Sequence, residues 1–178
     1  MKTVVVLVLA SFACLASPVL AQSVGEKTGI NKALGVSPST ADFVKQVAIS
    51  DMFEIESSKL AQQKADEATK KFAAQMVTDH TKTSSELKGI LKGEKAELSS
   101  ALDSSHQSKL DKLKGLSGAD FTKEYRSIQV TAHKDAVSLF ERYANGGDNE
   151  QLKAWAAKTL PDLKHHLQMA EALYNQAS

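Results

Sequence analysis

One predicted helix, from Phe72 to Leu91, carries a histidine in the middle of its apolar face. Its apolar residues, among them Met76 and Leu87, recur at helical spacing, and His80 falls on the same face. A buried polar group without a hydrogen-bond partner destabilises a fold by about 1–3 kcal/mol. The chain must therefore fold so that His80 meets other polar groups inside.

Three other predicted helices show the same feature, at Glu56, His133 and His166. Glu56 follows Phe53 by three residues and precedes Leu60 by four, which indicates the inward face of its helix. His133 and His166 are likewise in phase with apolar residues of their own helices. We expect all four side chains to point inward.

The pattern predicts an all-α fold of four long helices, joined in the middle by a short one. The first and second are joined by a tight turn at residues 64–67, and the short helix lies in the connection between the second and the third. The expected boundaries are Ser39 and about Ala65 for the first helix, about Gly93 for the end of the second, Asp103 for the cap of the short helix, Ser117 and Gly146 for the third, and Asp148 for the cap of the fourth.

The short helix predicts how the polar residues meet. A crossover connection makes the second and third long helices parallel, as in ferritin-like bundles. Glu56 and His166 then lie about 10 residues from one end of the bundle, and His80 and His133 about 14. Because side chains lean toward the N-terminus of their own helix, the two tiers converge. The prediction is a four-helix bundle with one carboxylate and three imidazoles at a common depth.

Such a cluster has two interpretations. One is a hydrogen-bonded Glu/His layer that fixes the register of the helices. The other is a metal site with Glu56, His80, His133 and His166 as ligands, a set that zinc, copper or iron accepts. Met76, one turn before His80, is a possible further ligand and favours copper. No catalytic residue and no organic cofactor is predicted, since the sequence shows neither a nucleophile turn nor a glycine-rich loop after a strand.

Residues 1–21 have the pattern of a secretory signal peptide. A charged Lys2 precedes an apolar run from Val4 to Leu15, and a small-residue cleavage site ends at Ala21. The only cysteine, Cys14, lies in this segment, so the mature chain is expected to have no thiol ligand. Residues 22–37 read as a flexible leader and residues 38–176 as the bundle domain. We expect a periplasmic protein with no transmembrane segment after signal cleavage.

The charges exclude some classes of partner. The chain has 22 basic and 21 acidic residues, interspersed along the predicted helices. No net field therefore recruits nucleic acid or anionic lipid. The expected partner is a protein or another component of the cell envelope, and neither its identity nor the oligomeric state is predicted.

Several motifs together resemble a known family, the exported bacterial domain of unknown function whose members are ferritin-like helical bundles. The resemblance runs from about Ser39 to Tyr174 and implies fold and export, but no established activity. It rests on Phe43, Val44, Glu54, Glu56, Lys59, Leu60, Phe72, Met76, Asp79, His80, Leu102, Asp103, His106, His133, Leu139, Phe140, Thr159, Pro161 and His166.

Three functions follow as hypotheses. The first is a non-enzymatic helical bundle with a polar core cluster, acting in envelope interactions or stress tolerance. The second is a periplasmic metal-binding protein, and the third a ferritin-like oxidoreductase. A di-iron oxidase needs Glu-x-x-His on two helices, but Val77, Val130 and Leu163 stand three residues before the histidines. The sequence thus favours a protein that is not an enzyme.

Overall fold

A computed structural model describes residues 24–26, 29–92 and 98–176, and these residues are all-α, without a strand. The predicted signal peptide lies outside them. The predicted long helices and the short helix between them are present. The helices are α1 (Ile30–Leu34), α2 (Thr40–Lys64), α3 (Glu67–Ile90), α4 (Ser104–Gly115), α5 (Gly118–Gly146) and α6 (Glu150–Asn175).

Side-chain caps fix the starts of α2, α3, α4 and α6, whereas Ser117 at the start of α5 makes no side-chain cap hydrogen bond. Ser39 accepts a hydrogen bond from the backbone N–H of Asp42 at 3.1 Å, and Asp103 accepts one from that of His106 at 2.8 Å, as the sequence predicts. The cap of α6 is Asn149, one residue after the predicted Asp148. Asp148 is instead engaged by the Thr40 hydroxyl, so its carboxylate binds α2 rather than its own helix.

Contacts between the long helices set their directions. The turn at residues 65–66 makes α2 and α3 an antiparallel hairpin. The Tyr125 hydroxyl lies 2.8 Å from that of Ser58, and the Tyr143 hydroxyl lies 2.5 Å from that of Thr40. Because the residue numbers run in opposite directions along α2 and α5, these helices are antiparallel. It follows that α3 and α5 run parallel, as the predicted crossover requires.

A layer of polar residues divides the core into two apolar clusters. In α6, for example, Leu163 belongs to one cluster and Ala170 to the other, with His166 between them. The first cluster consists of Phe43, Val44, Val47, Leu87, Leu91, Leu139, Phe140, Tyr143, Leu152, Trp155, Ala156 and Leu163. The second consists of Phe53, Ala61, Ala65, Phe72, Ala73, Met76, Leu110, Leu113, Phe121, Tyr125, Ile128 and Ala170.

The segment predicted to be a flexible leader is in part structured. It contains α1, and the Glu26 carboxylate forms a two-pronged ion pair with the Arg142 guanidinium, at 2.5 and 3.2 Å. Arg142 also donates to the carbonyl of Val36 at 2.7 Å. The sequence did not predict this attachment because it depends on a buried ion pair and not on an apolar period.

None of the helices in the described part of the chain combines the length and the apolar character needed to cross a bilayer.

The Glu26–Arg142 pair provides a test of this attachment. Both side chains are buried, with 7% and 8% of their surfaces exposed. Glu26→Gln leaves a buried guanidinium without its counter-charge, so we expect the free energy of unfolding to fall by about 2–4 kcal/mol in urea denaturation. Glu56→Gln is the control, because an exposed ion pair contributes less than about 1 kcal/mol. Equal stability of the two variants would show that the leader does not stabilise the domain.

Candidate metal centre

Three helices bring three imidazoles together in the polar layer. His80 of α3, His133 of α5 and His166 of α6 are 4%, 1% and 4% exposed, and their ring centroids are 5.5–5.7 Å apart. One ring nitrogen of each lies within 4.8 Å of the corresponding nitrogens of the other two. We call these residues the three-histidine site. The structure thus brings together all three histidines that the sequence predicts to meet.

Each imidazole is held by a hydrogen bond from one ring nitrogen to a group outside the site. The Nδ1 of His80 lies 2.8 Å from an oxygen of Asp51, and the Nε2 of His166 lies 2.9 Å from an oxygen of Asp79. The Nδ1 of His133 lies 2.9 Å from the backbone carbonyl of Gln129. A carbonyl oxygen only accepts hydrogen bonds, so Nδ1 of His133 carries a proton and Nε2 of the neutral ring has a free lone pair.

Asp51 orients His80 and is itself held in place. Its second oxygen accepts hydrogen bonds from the hydroxyls of Thr83 at 2.9 Å and Ser84 at 3.0 Å. A metal-ligating histidine characteristically has such a carboxylate on its other nitrogen, which fixes the ring and its tautomer. Neither Asp51 nor Asp79 was predicted as a site residue. The sequence feature that could have indicated them is their position on helices that carry the predicted site.

The second ring nitrogen of each of these three histidines makes no hydrogen bond to any other described residue. Among the described residues, eight buried side-chain nitrogen and oxygen atoms are unpartnered, and seven of them belong to this polar layer. They are Nε2 of His80, Nε2 of His133, Nδ1 of His166, both carboxylate oxygens of Glu54 and both amide atoms of Gln129.

The prediction for Glu56 is wrong. Its side chain is 48% exposed and forms a surface ion pair with Lys59 at 2.8 Å. The buried carboxylate of this helix is Glu54, which is 1% exposed. Two residues correspond to about 200° around an α-helix, so the two side chains point to opposite faces. The phase was misjudged because the inward face of α2 also carries Asp51 and Ser58, which an apolar pattern does not reveal.

The other predicted residues have different surroundings. Met76 is fully buried in the second apolar cluster, where its side chain packs against hydrophobic neighbours. His165 is exposed. His106 is partly buried, with its Nδ1 2.8 Å from an oxygen of Asp103 and its ring against Phe53.

Burial and charge together distribute protons unequally over the site. Burial lowers the pKa of His80, but the hydrogen bond and negative charge of Asp51 raise it more, so that the net shift is upward. Burial and then the neighbouring His80 lower the pKa of His133 to about 4 and that of His166 to about 4. At neutral pH His133 and His166 are therefore neutral, the form in which imidazole binds a metal ion.

Glu54 is also perturbed. Burial raises the pKa of its carboxyl, which the charges of His80 and His166 and the nearby Gln129 amide only partly offset. Its oxygens are not within 4.8 Å of all three imidazole nitrogens, and so it lies beside the three-histidine site rather than within it.

These features define a class of protein: an all-helical domain with a buried histidine cluster suited to a transition-metal ion. Residues 25–173 match the family described as domain of unknown function DUF4142, and the chain belongs to that family. The match covers most of the described residues and confirms the predicted resemblance to a family of domains of unknown function. No curated protein and no solved structure matches the chain.

The pKa values predict a pH dependence of stability for the metal-free protein. Between pH 6.5 and 4 the unfolded state binds protons at His133 and His166 that the folded state does not bind. The free energy of unfolding therefore falls as the pH is lowered through this range. The raised pKa of Glu54 opposes this loss of stability over part of the same pH range. The raised pKa of His80 affects stability above pH 6.5, where stability falls as the pH rises. The expected net slope below pH 6.5 is about 1 kcal/mol per pH unit.

Thermal unfolding of metal-free protein between pH 4.5 and 7 measures this slope. The slope should decrease in His133→Gln and persist in His165→Gln, the exposed neighbour. A melting temperature that stays flat from pH 5 to 6.5 would contradict the burial of neutral imidazoles.

Proposed function

We propose that this protein is an exported metal-binding protein that holds one transition-metal ion between His80, His133 and His166. Two observations carry the proposal: one nitrogen of each of the three buried imidazoles lies within 4.8 Å of a nitrogen of the other two, and each ring has one nitrogen without a partner while its other nitrogen is fixed by a hydrogen bond. A bound ion satisfies all three at once.

The unpartnered nitrogens favour a metal ion over a self-contained polar layer. In a hydrogen-bonded Glu/His layer the four predicted side chains would bind one another, whereas each histidine hydrogen-bonds outward and Glu56 is at the surface. Each buried unpartnered group destabilises the fold by about 1–3 kcal/mol. We therefore favour the metal hypothesis over the metal-free layer, which was the first interpretation of the sequence.

The donor set selects the kind of ion. Neutral imidazole binds Zn²⁺, Cu²⁺ and Fe²⁺, and by the Irving–Williams order Cu²⁺ binds a given nitrogen site more tightly than Zn²⁺. The ligand group contains no carboxylate, which argues against the carboxylate-rich di-iron site of an oxidoreductase. A role in envelope interactions or stress tolerance stays a prediction of the sequence.

The setting of the site is part of the proposal. We infer a ferritin-like four-helix bundle, which the parallel α3 and α5 and the intervening α4 support. We also infer export to the periplasm, supported by the signal pattern of residues 1–21 and by the family resemblance.

Metal titration of the mature protein, purified without a histidine tag, tests the proposal. We expect one equivalent of Cu²⁺ or Zn²⁺ to bind with a dissociation constant below micromolar and to raise the melting temperature, because the ion binds the folded state. His133→Gln should weaken binding at least about 100-fold, since substituting even an outer-shell partner weakens it about 10–100-fold. His133 is suitable because its outward hydrogen bond stays within α5.

His165→Gln is the matched control, an exposed histidine next to His166 in the sequence, and should bind metal as the unaltered protein does. His166→Gln serves as a second test if His133→Gln does not fold. Absence of submicromolar binding in the unaltered protein, or equal affinity in all variants, would contradict the proposal.

A further inference from the structure

Two further polar side chains lie unpartnered beside the three-histidine site. Glu54 is one turn after Asp51 in α2, and neither of its oxygens accepts a hydrogen bond. Gln129 is one turn before His133 in α5, is 1% exposed, and neither of its amide atoms is hydrogen-bonded. The Gln129 amide is near enough to the Glu54 carboxyl to lower its pKa, so the two side chains lie next to each other beside the site.

Three imidazoles leave a coordination position of the ion unfilled. A zinc site with three protein ligands characteristically keeps a fourth position for water or substrate, whereas a structural site is closed by four protein ligands. Glu54 is outside the ligand group but close enough for its charge to interact with His80 and His166. A small ligand at the fourth position would come between the ion and Glu54.

A water molecule at that position fits the unpartnered atoms. Water donates two hydrogen bonds, and a Glu54 oxygen and the Gln129 amide oxygen are both acceptors. Because a divalent ion among neutral imidazoles has no inner-shell counter-charge, the buried Glu54 carboxylate would also supply a negative charge beside it.

Two cavities reach the edge of the site at His80. One, of about 320 Å³, is lined by Asp51 and His80 and extends between α2 and α5. Another, of about 240 Å³, is lined by His80, His166 and Asp79 and lies between α3 and α6.

From these observations we propose that the metal site is open: its fourth position takes a water molecule that donates hydrogen bonds to Glu54 and Gln129, and this water can be exchanged for a small anion. The inference rests on the proposed metal-binding function. It assigns Glu54 a positioning role beside the ion and makes the site one that exchanges ligands rather than a purely structural one.

Azide binding to the Cu²⁺-loaded protein tests the open position. Copper uptake is measured first, and azide is then titrated while the azide-to-copper charge-transfer absorption is followed. We expect a saturable band in the unaltered protein. In Glu54→Gln the band should saturate at an azide concentration that is lower by about tenfold or more. The reason is that removal of a nearby negative charge favours binding of an anion. Glu56→Gln removes an exposed carboxylate from the same helix and should leave the azide affinity unchanged.

The other outcomes are decisive as well. Absence of an azide band in every copper-loaded variant would show that the site is closed. Equal azide affinity in Glu54→Gln and the unaltered protein would show that Glu54 does not contact the ligand. Either result overturns the inference. A loss of copper affinity of about 100-fold in Glu54→Gln alone would make Glu54 a direct ligand and overturn it too. If the unaltered protein takes up no copper, the proposed function itself fails, and the uptake measurement identifies that case.

Discussion

The arrangement of the core depends on the outward hydrogen bonds of three imidazoles. Asp51, Asp79 and the carbonyl of Gln129 each hold one ring nitrogen, and one nitrogen of each ring lies within 4.8 Å of a nitrogen of the other two rings. Two of these bonds join different helices, α2 to α3 and α3 to α6. They therefore fix the site and the register of the helices at the same time.

The polar layer lies where an apolar core would be more stable. The long helices contribute apolar residues to a cluster on either side of the layer, and the layer separates the two clusters. Sequences that break the local rules of packing commonly do so at functional sites, where stability is given up for chemistry. Within the part of the chain that the structure describes, nearly all buried unpartnered side-chain atoms are in the layer, which identifies it as the place where a ligand would stabilise the fold most.

The histidines were predictable from the sequence, whereas the carboxylates were not. His80, His133 and His166 each interrupt an apolar stripe on a strongly patterned helix, and the crossover fixed their common depth. The inward face of α2 includes Asp51, Glu54 and Ser58, so the apolar positions of that helix indicate its phase poorly, and Glu56 was selected instead. The attachment of the leader was missed for a similar physical reason, since the Glu26–Arg142 ion pair joins residues far apart in the chain and leaves no local pattern.

The most direct test of the account is a crystal structure of the mature protein loaded with Zn²⁺, with anomalous scattering recorded on both sides of the zinc absorption edge. The account predicts one strong anomalous peak at about 2.0–2.1 Å from Nε2 of His80, Nε2 of His133 and Nδ1 of His166. An anomalous peak from zinc bound elsewhere in the molecule would contradict it. So would three imidazoles that stay together under zinc saturation with no peak between them.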